Sequence, residues 1–275
     1  MDTPSSPDAP RTVIVVPCYN EAARLDVARF AEYVALPGAA NLLFVDDGST
    51  DDTAKVLSGL LRRAPGRIRA LRLTANQGKS GAVRAGVLAA LADAPAFVGF
   101  WDADLATPLA AIPRFVAALE ARPVLLGAIG ARVKLLGTTI ERSAARHYLG
   151  RVFATAASLV LGLAVYDTQC GAKLFRAGPL LSAAFAAPFR SRWAFDVELL
   201  ARLDEAGRRA GALPVERTVI ELALDEWRDV GGSKLHPLGM VGAGLDLAFV
   251  RRHVRRDVGQ PAAPPAATWL SGAEA

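Results

Sequence analysis

Short apolar runs of strand character alternate with amphipathic helical segments through the first half of the chain. Residues 12–16, 41–45, 68–73 and the run ending at Asp102 read as buried strands, with a fifth at 124–131. Residues 24–35, 52–63, 79–92 and 109–121 carry the helical period between them. A parallel neighbour is reached only through a crossover, so this alternation predicts an α/β chain with a mostly parallel, doubly wound sheet flanked by helices. The alternation stops after Gly137, where long helical patterns occupy 141–163 and 195–210. There is no internal repeat.

In a parallel sheet the strand carboxyl ends share one edge, and ligands bind there. Each early strand ends in a polar cluster suited to that edge: Pro17-Cys18-Tyr19-Asn20-Glu21, then Asp46-Asp47-Gly48-Ser49-Thr50-Asp51-Asp52, then Asn76-Gln77-Gly78-Lys79-Ser80-Gly81, then Asp102-Ala103-Asp104. Pro17 fixes a bend, Tyr19 offers a ring for a base to stack on, and Asp46 or Asp47 can accept the imide N–H of a uracil. The carboxylates of Asp102 and Asp104 are hard oxygen ligands for a divalent metal carrying a diphosphate. Both acidic clusters also fit capped turns. Gly78-Lys79-Ser80 resembles the end of a phosphate-binding loop, but Leu73 stands where that loop needs glycine and the segment follows the third strand, so a helix cap is the simpler reading.

At 275 residues and 52% hydrophobic composition the chain has the material for one large core. The formal charge of +5 is local, because Arg251, Arg252, Arg255 and Arg256 crowd one short stretch, and no nucleic-acid partner is expected. Two cysteines build no disulfide framework and no signal-like segment opens the sequence, so a cytoplasmic location is expected. Residues 1–10 and 257–275 are rich in Pro, Ala and Ser and read as disordered. The apolar stretch 152–165 falls short of the ~20 residues a spanning helix needs, leaving a core or interfacial helix. Residues 235–256 read as an amphipathic helix with a basic end, suited to peripheral membrane contact or to docking on the fold.

The ordered set VPCYNEA, VDDGSTDDT, NQGKSGAVRAG and DADL resembles glycosyltransferase family 2. The blocks Glu141-Arg142, Asp167 to Phe175, Arg192 to Glu198 and Trp227 to Lys234 are similar to its dolichyl-phosphate β-glucosyltransferase and mannosyltransferase branch. The resemblance implies a GT-A fold over residues 11–234, a nucleotide-diphospho-sugar donor, Mg²⁺ or Mn²⁺ as cofactor, and inversion at the anomeric carbon. It implies that Pro17, Tyr19, Glu21, Val45 and Asp47 hold the nucleoside. Asp102 and Asp104 would hold the metal, with Ala103 contributing backbone, while Arg132, Arg228 and Lys234 serve the diphosphate. UDP-glucose is the expected donor and a polyprenyl phosphate the expected acceptor.

Two departures accompany the resemblance. Mannosyltransferase relatives carry Gln where this chain has Ala106, and lipid-acting members commonly carry membrane-spanning helices that this chain lacks. The acceptor decides the remaining roles. A lipid phosphate attacks without a base, with Arg142 and Arg146 positioning it. A sugar hydroxyl needs a general base, for which Asp196 is the candidate, although a helix-face carboxylate fits that position as well. A hydroxyl-directed transferase and a non-catalytic nucleotide-sugar-binding module are the alternatives. His147, His236 and His253 form no ligand pattern, and Cys18 and Cys170 read as buried thiols.

Overall fold

The computed structural model describes residues 11–141, 144–191, 194–229, 250 and 253–272. In chain order the elements are β1 (Thr12–Cys18), α1 (Val27–Ala35), β2 (Asn41–Asp46), α2 (Thr53–Arg63), β3 (Ile68–Leu73), α3 (Gly78–Leu91), β4 (Phe97–Trp101), α4 (Ile112–Ala121) and β5 (Gly127–Ala131). They continue with β6 (Thr139–Glu141), α5 (Ala144–Leu161), β7 (Ala172–Arg176), α6 (Pro179–Phe185), α7 (Phe195–Arg209), α8 (Val215–Thr218), β8 (Val219–Ala223), β9 (Glu226–Arg228) and β10 (Ala267–Trp269). The chain divides into two compact units, one formed by residues 1–105, 174–178 and 263–275, the other by 106–173 and 179–262.

In the first unit the strand order is β10-β3-β2-β1-β4, with the end of β7 beside β4. β1 pairs in parallel with β2 and β4, and β2 with β3. Residues 13–16, 42–45 and 97–101 are buried throughout, as expected of parallel strands covered on both faces. Helix α3 lies close on this sheet because position 86 is glycine: a Cβ there would meet Val15 Cγ1 at 2.4 Å and Val45 Cγ2 at 2.8 Å. Helix α1 starts at Val27, later than the expected residue 24, because the Asp26 carboxylate accepts the N–H of Arg29 and caps the first turn.

The second unit pairs β5 with β8 and β6 with β9, both in parallel. Its helices include α5, whose Ala157 packs with Ala194 and Val197. Val250, Val254 and Val258 pack against Ala206 of α7. Most of the helix expected over 235–256 lies outside the described residues, as do Arg251 and Arg252. Among the described residues no helix is long and apolar enough to cross a membrane.

The C-terminal tail corrects the expectation of disorder. β10 pairs antiparallel with β3, Thr268 opposite Arg72, and closes an edge that would otherwise present unpaired backbone groups. The N–H of Thr74 donates to the Ala266 carbonyl at 3.1 Å and that of Leu270 to the Ala70 carbonyl at 2.9 Å. Arg62 reaches the Gly272 carbonyl, Arg84 the Ala263 carbonyl, and Arg69 stacks over Trp269. The Pro/Ala-rich composition describes the lead-in, and the short Ala-Thr-Trp strand after it is too brief to register as a periodic run.

Truncation after Ala262 is expected to cost roughly 4 kcal/mol, taking about 1 kcal/mol net of hydration for each of the hydrogen bonds just named, and to lower the melting temperature by ~8–16 °C. Calorimetry of the truncated chain measures that loss. Light scattering should report concentration-dependent association through the bared β3 edge.

Candidate functional site

Four loops at the carboxyl end of the first unit's sheet surround a cleft of about 260 Å³ lined by Pro17, Cys18, Tyr19, Glu21, Asp47, Lys79, Ala82, Asp102, Ala103 and Asp104. A second cleft of about 430 Å³, lined by Val27, Val56, Gly59, Arg62 and Arg63, contains no carboxylate and none of the strand-end motifs.

The loops of the first cleft are tied to one another by side chains accepting backbone N–H groups. Asp47 is buried at the end of β2, and its Oδ1 accepts the N–H of Gln77 at 2.7 Å while its own N–H donates to the Cys18 carbonyl. Its neighbour Asp46 accepts the Ser49 N–H at 2.9 Å and faces the Arg72 guanidinium. Asn20, in the left-handed region at φ 54, donates its N–H to Ser49 Oγ and accepts the Thr50 N–H. The N–H of Glu21 donates to Thr53 Oγ1, and that of Ala22 to Asp51. Gly48 sits at φ +66, and a Cβ there would lie 2.9 Å from backbone atoms of Ala75 and Asn76, so only glycine fits this crossing.

Asp102 and Asp104 follow β4 on a turn in which the Leu105 N–H donates to the Asp102 carbonyl, with Leu105 at φ 54. Both carboxylates are partly exposed, and the Lys79 ammonium forms an ion pair with Asp102. Among the described residues no cluster of three or more acids, histidines or cysteines stands ready to cage a metal. Two partly exposed carboxylates on one turn are nonetheless the donor set that Mg²⁺ or Mn²⁺ takes when phosphate oxygens and water complete its coordination. The residues present therefore fit such a cation, and Asp102 already draws positive charge. Burial raises the Glu21 carboxyl above its ordinary value, against the opposing pull of the Arg24 guanidinium that grips both of its oxygens.

The second unit holds the other expected residues. Arg132 leaves β5 with its Nε and Nη2 donating to Asp167 at 2.6 and 2.7 Å, and its guanidinium lies 5.3 Å from the Trp227 ring centroid. Its charge is thus matched by a carboxylate. Burial works to raise Asp167, but the hydrogen bonds and charge of Arg132 outweigh it and hold the group below the usual carboxylate range. Asp196 lies in the first turn of α7, buried, with Lys173 Nζ 2.6 Å from its Oδ1. Arg228 is exposed on β9, paired with Glu226 at 3.1 Å, and its N–H donates to the carbonyl of Ala106, two residues after Asp104 in the chain. Burial pushes the Cys170 thiol up to about 11, with Asp167 adding to the shift.

The structure brings Pro17, Tyr19, Glu21, Asp47, Asp102, Ala103 and Asp104 together in one cleft. Tyr19 is 39% exposed. Val45 does not join them: its side chain is fully buried against α3. Arg142, the Arg146 side chain and Lys234 lie outside the described residues. Lys79, read from the sequence as part of a helix cap, does lie in the first turn of α3 and also lines the cleft. Its place after the third strand, beside a strand-end Asp-x-Asp, was the available signal.

The family model described as glycosyl transferase family 2 matches residues 13–181. A dolichyl-phosphate β-glucosyltransferase from Mus musculus is 33% identical over 90% of this chain and 78% of its own length. The Homo sapiens protein of that name is 31% identical over 90% and 78%. Among solved structures, a mannosyltransferase from Pyrobaculum calidifontis in complex with GDP-Man and Mn²⁺ aligns with TM-score 0.59 at 18% identity, over 90% of this chain and 65% of that one. Glucosyl-3-phosphoglycerate synthase from Mycobacterium tuberculosis, in complex with Mn²⁺, UDP-glucose and phosphoglyceric acid, aligns with TM-score 0.55 at 17% identity over 90% and 80%. These structures share the fold, a mostly parallel sheet flanked by helices.

Asp167→Asn removes the buried carboxylate charge that Arg132 Nε and Nη2 donate to and is expected to cost ~3 kcal/mol at pH 7. The folded carboxyl titrates below the unfolded one, so between those values the unfolded chain binds more protons and stability rises with pH. The difference between wild type and variant should be complete above about pH 4 and shrink as acid protonates Asp167. Urea denaturation of both proteins at pH 7 and at pH 3 measures it.

Proposed function

The chain belongs to glycosyl transferase family 2, and from that premise we propose that it moves glucose from UDP-glucose onto a polyprenyl or dolichyl phosphate, inverting the anomeric carbon, at the cytoplasmic face of a membrane. The support for this reading is the single cleft in which a stacking ring, a buried uracil-compatible carboxylate and the Asp102/Asp104 pair line one wall-to-wall surface. The relatives named as dolichyl-phosphate β-glucosyltransferases support the sugar and the lipid phosphate. The UDP-glucose complex of the synthase neighbour supports the nucleotide.

In this reading Tyr19 stacks on the uracil, Asp47 accepts its imide N–H, and Pro17 and Glu21 shape the rest of the nucleoside seat. Asp102 and Asp104 hold Mg²⁺ or Mn²⁺, with the Ala103 backbone between them. A divalent cation bound there supplies positive charge to the departing diphosphate. Lys79, from the same cleft, adds an ammonium for that diphosphate, and Arg228 adds an exposed guanidinium. Arg132, paired with Asp167, keeps the role toward the diphosphate that the resemblance implies. Lys234 and Arg142 keep the roles implied by the resemblance, one at the diphosphate and one at the acceptor phosphate.

An oxygen of the lipid phosphate attacks the anomeric carbon as the bond to UDP breaks, and the electron pair of that bond leaves on the UDP oxygen. No proton has to be removed, because the acceptor is already an oxyanion. The surroundings of Asp196 favour this acceptor over a hydroxyl: a general base must touch the attacking group, and Asp196 is buried and engaged by Lys173.

The test is transfer from radiolabelled UDP-glucose to polyprenyl phosphate, with saccharide acceptors and GDP-mannose in parallel. Labelled lipid is expected from UDP-glucose and polyprenyl phosphate, with loss of turnover in EDTA. Asp104→Ala and Arg228→Ala should each lower the rate by ~10²-fold or more with the fold intact by circular dichroism. Full activity in EDTA, or product only on saccharide hydroxyls, would overturn the reading.

A further inference from the structure

The connection from β5 to β6 departs from ordinary turn chemistry. Residues 135–138 are closed three times over: the Leu135 N–H donates to Thr138 Oγ1 at 2.9 Å, that hydroxyl donates to the Leu135 carbonyl at 2.9 Å, and the Thr138 N–H donates to the same carbonyl at 3.2 Å. Gly137 takes the left-handed position at φ +84. Surface turns are usually built from polar residues, yet this one holds out Leu135 at 51% and Leu136 at 105% of full exposure. Leu136 is the most exposed large apolar side chain among the described residues. Lys134, also exposed, sits immediately before the pair.

Two further observations belong to the same unit. Helix α5 exposes Val152 (67%) and Leu159 (76%), seven residues apart and hence on one face, while Ala154 and Ala157 on the opposite side are buried. The turn is also wired to the cationic end of the unit. It begins three residues after Arg132, and β6, which it feeds, pairs with β9 in the register Glu141 opposite Arg228.

We propose that the Leu135-Leu136 turn is a lipid-inserting tip that docks the enzyme on an anionic bilayer. This rests on the lipid-phosphate reading and names the surface that delivers such an acceptor. A stable protein partner needs ~800 Å² of complementary surface on each side, whereas this is a convex point of two side chains. A bilayer accepts such a point: the leucines enter the acyl boundary, and the Lys134 stem reaches back so that its ammonium meets lipid phosphates. The closed turn keeps the leucines outward, so insertion orders no loop. The ribbon then carries Arg228 toward the headgroup layer, where a lipid phosphate resides.

The test uses the full chain and its Leu135→Ser/Leu136→Ser variant. Co-sedimentation with phosphatidylcholine vesicles containing phosphatidylglycerol is expected to weaken about tenfold or more in the variant, including the part that survives high salt. Its melting temperature, and its UDP release with a short-chain isoprenyl phosphate in solution, should stay at wild-type values. Equal vesicle binding by both proteins would overturn the proposal. So would a variant that binds vesicles normally but loses self-association in light scattering, which would make the turn a contact between copies of the chain. Vesicle binding is read without turnover, so an absence of glucosyl transfer would count against the proposed activity and leave the tip to its own result.

Discussion

Parallel pairing sends β1, β2, β3 and β4 of the first unit in the same direction, so whatever polar residues end those strands are delivered to a common edge. The register of β1 against β2 and β4 fixes which residues those are. Loops gathered this way still need fixing, and here the agents are short side chains with backbone donors. Asp47 joins the end of β2 to the entry of α3, Asp46 closes its own loop, and Asn20 and Thr53 bind the first loop to the second. A buried carboxylate is costly unless it is hydrogen-bonded, and these are. The cleft is therefore shaped before any ligand arrives, which lowers the ordering cost of binding.

The second unit relies on a different device, the buried ion pair. Lys173 with Asp196, Arg202 with Glu198 and Arg132 with Asp167 are all substantially withdrawn from water. Such pairs contribute little net stability relative to apolar packing, but losing one partner is expensive, so they specify position. Arg202 illustrates this by donating to the carbonyls of Ala184, Ala187 and Pro188 as well as to Glu198, which in turn accepts the N–H groups of Arg190 and Ser191. The segment leading into α7 is thereby pinned from both ends. Asp196 belongs to this framework, buried and paired with Lys173, and under the proposed activity it has no proton to remove.

Much of the first unit was legible because its signals are local. β3 was read at its observed bounds, and the acidic pair after β4 stands where its apolar run stops. What the sequence hid depended on distant partners. β7 contains the fully buried Lys173, which breaks the apolar pattern and finds its reason only in Asp196. β6, β9 and β10 are three residues each, too short for a period, and exist because a neighbouring strand offers pairing. Val45 was misplaced for a related reason: it adjoins two acids in sequence, but alternation turns its side chain to the core against Gly86. Lys79 was undervalued because a glycine-lysine-serine string is common at helix starts, and only the fold sets it against Asp102.

That Lys79–Asp102 contact bears on how the donor is received. Four acids line the cleft, Glu21, Asp47, Asp102 and Asp104, against the single ammonium of Lys79. Even with Glu21 gripped by Arg24, the surface meeting a nucleotide diphosphate is negative, and in a partly desolvated cleft like charges repel more strongly than in bulk water. From the lining of this cleft alone, a diphosphate arriving without a cation would meet that repulsion with one lysine to offset it, and that lysine is paired with Asp102. Under the proposed activity the cleft thus selects a donor whose phosphates come accompanied by a divalent cation. A cation held there by Asp102 and Asp104 would compete with Lys79 for Asp102 and would leave the ammonium for the phosphate oxygens. The same acidic turn that pairs with its own lysine is thus the donor set that would receive a metal-borne diphosphate.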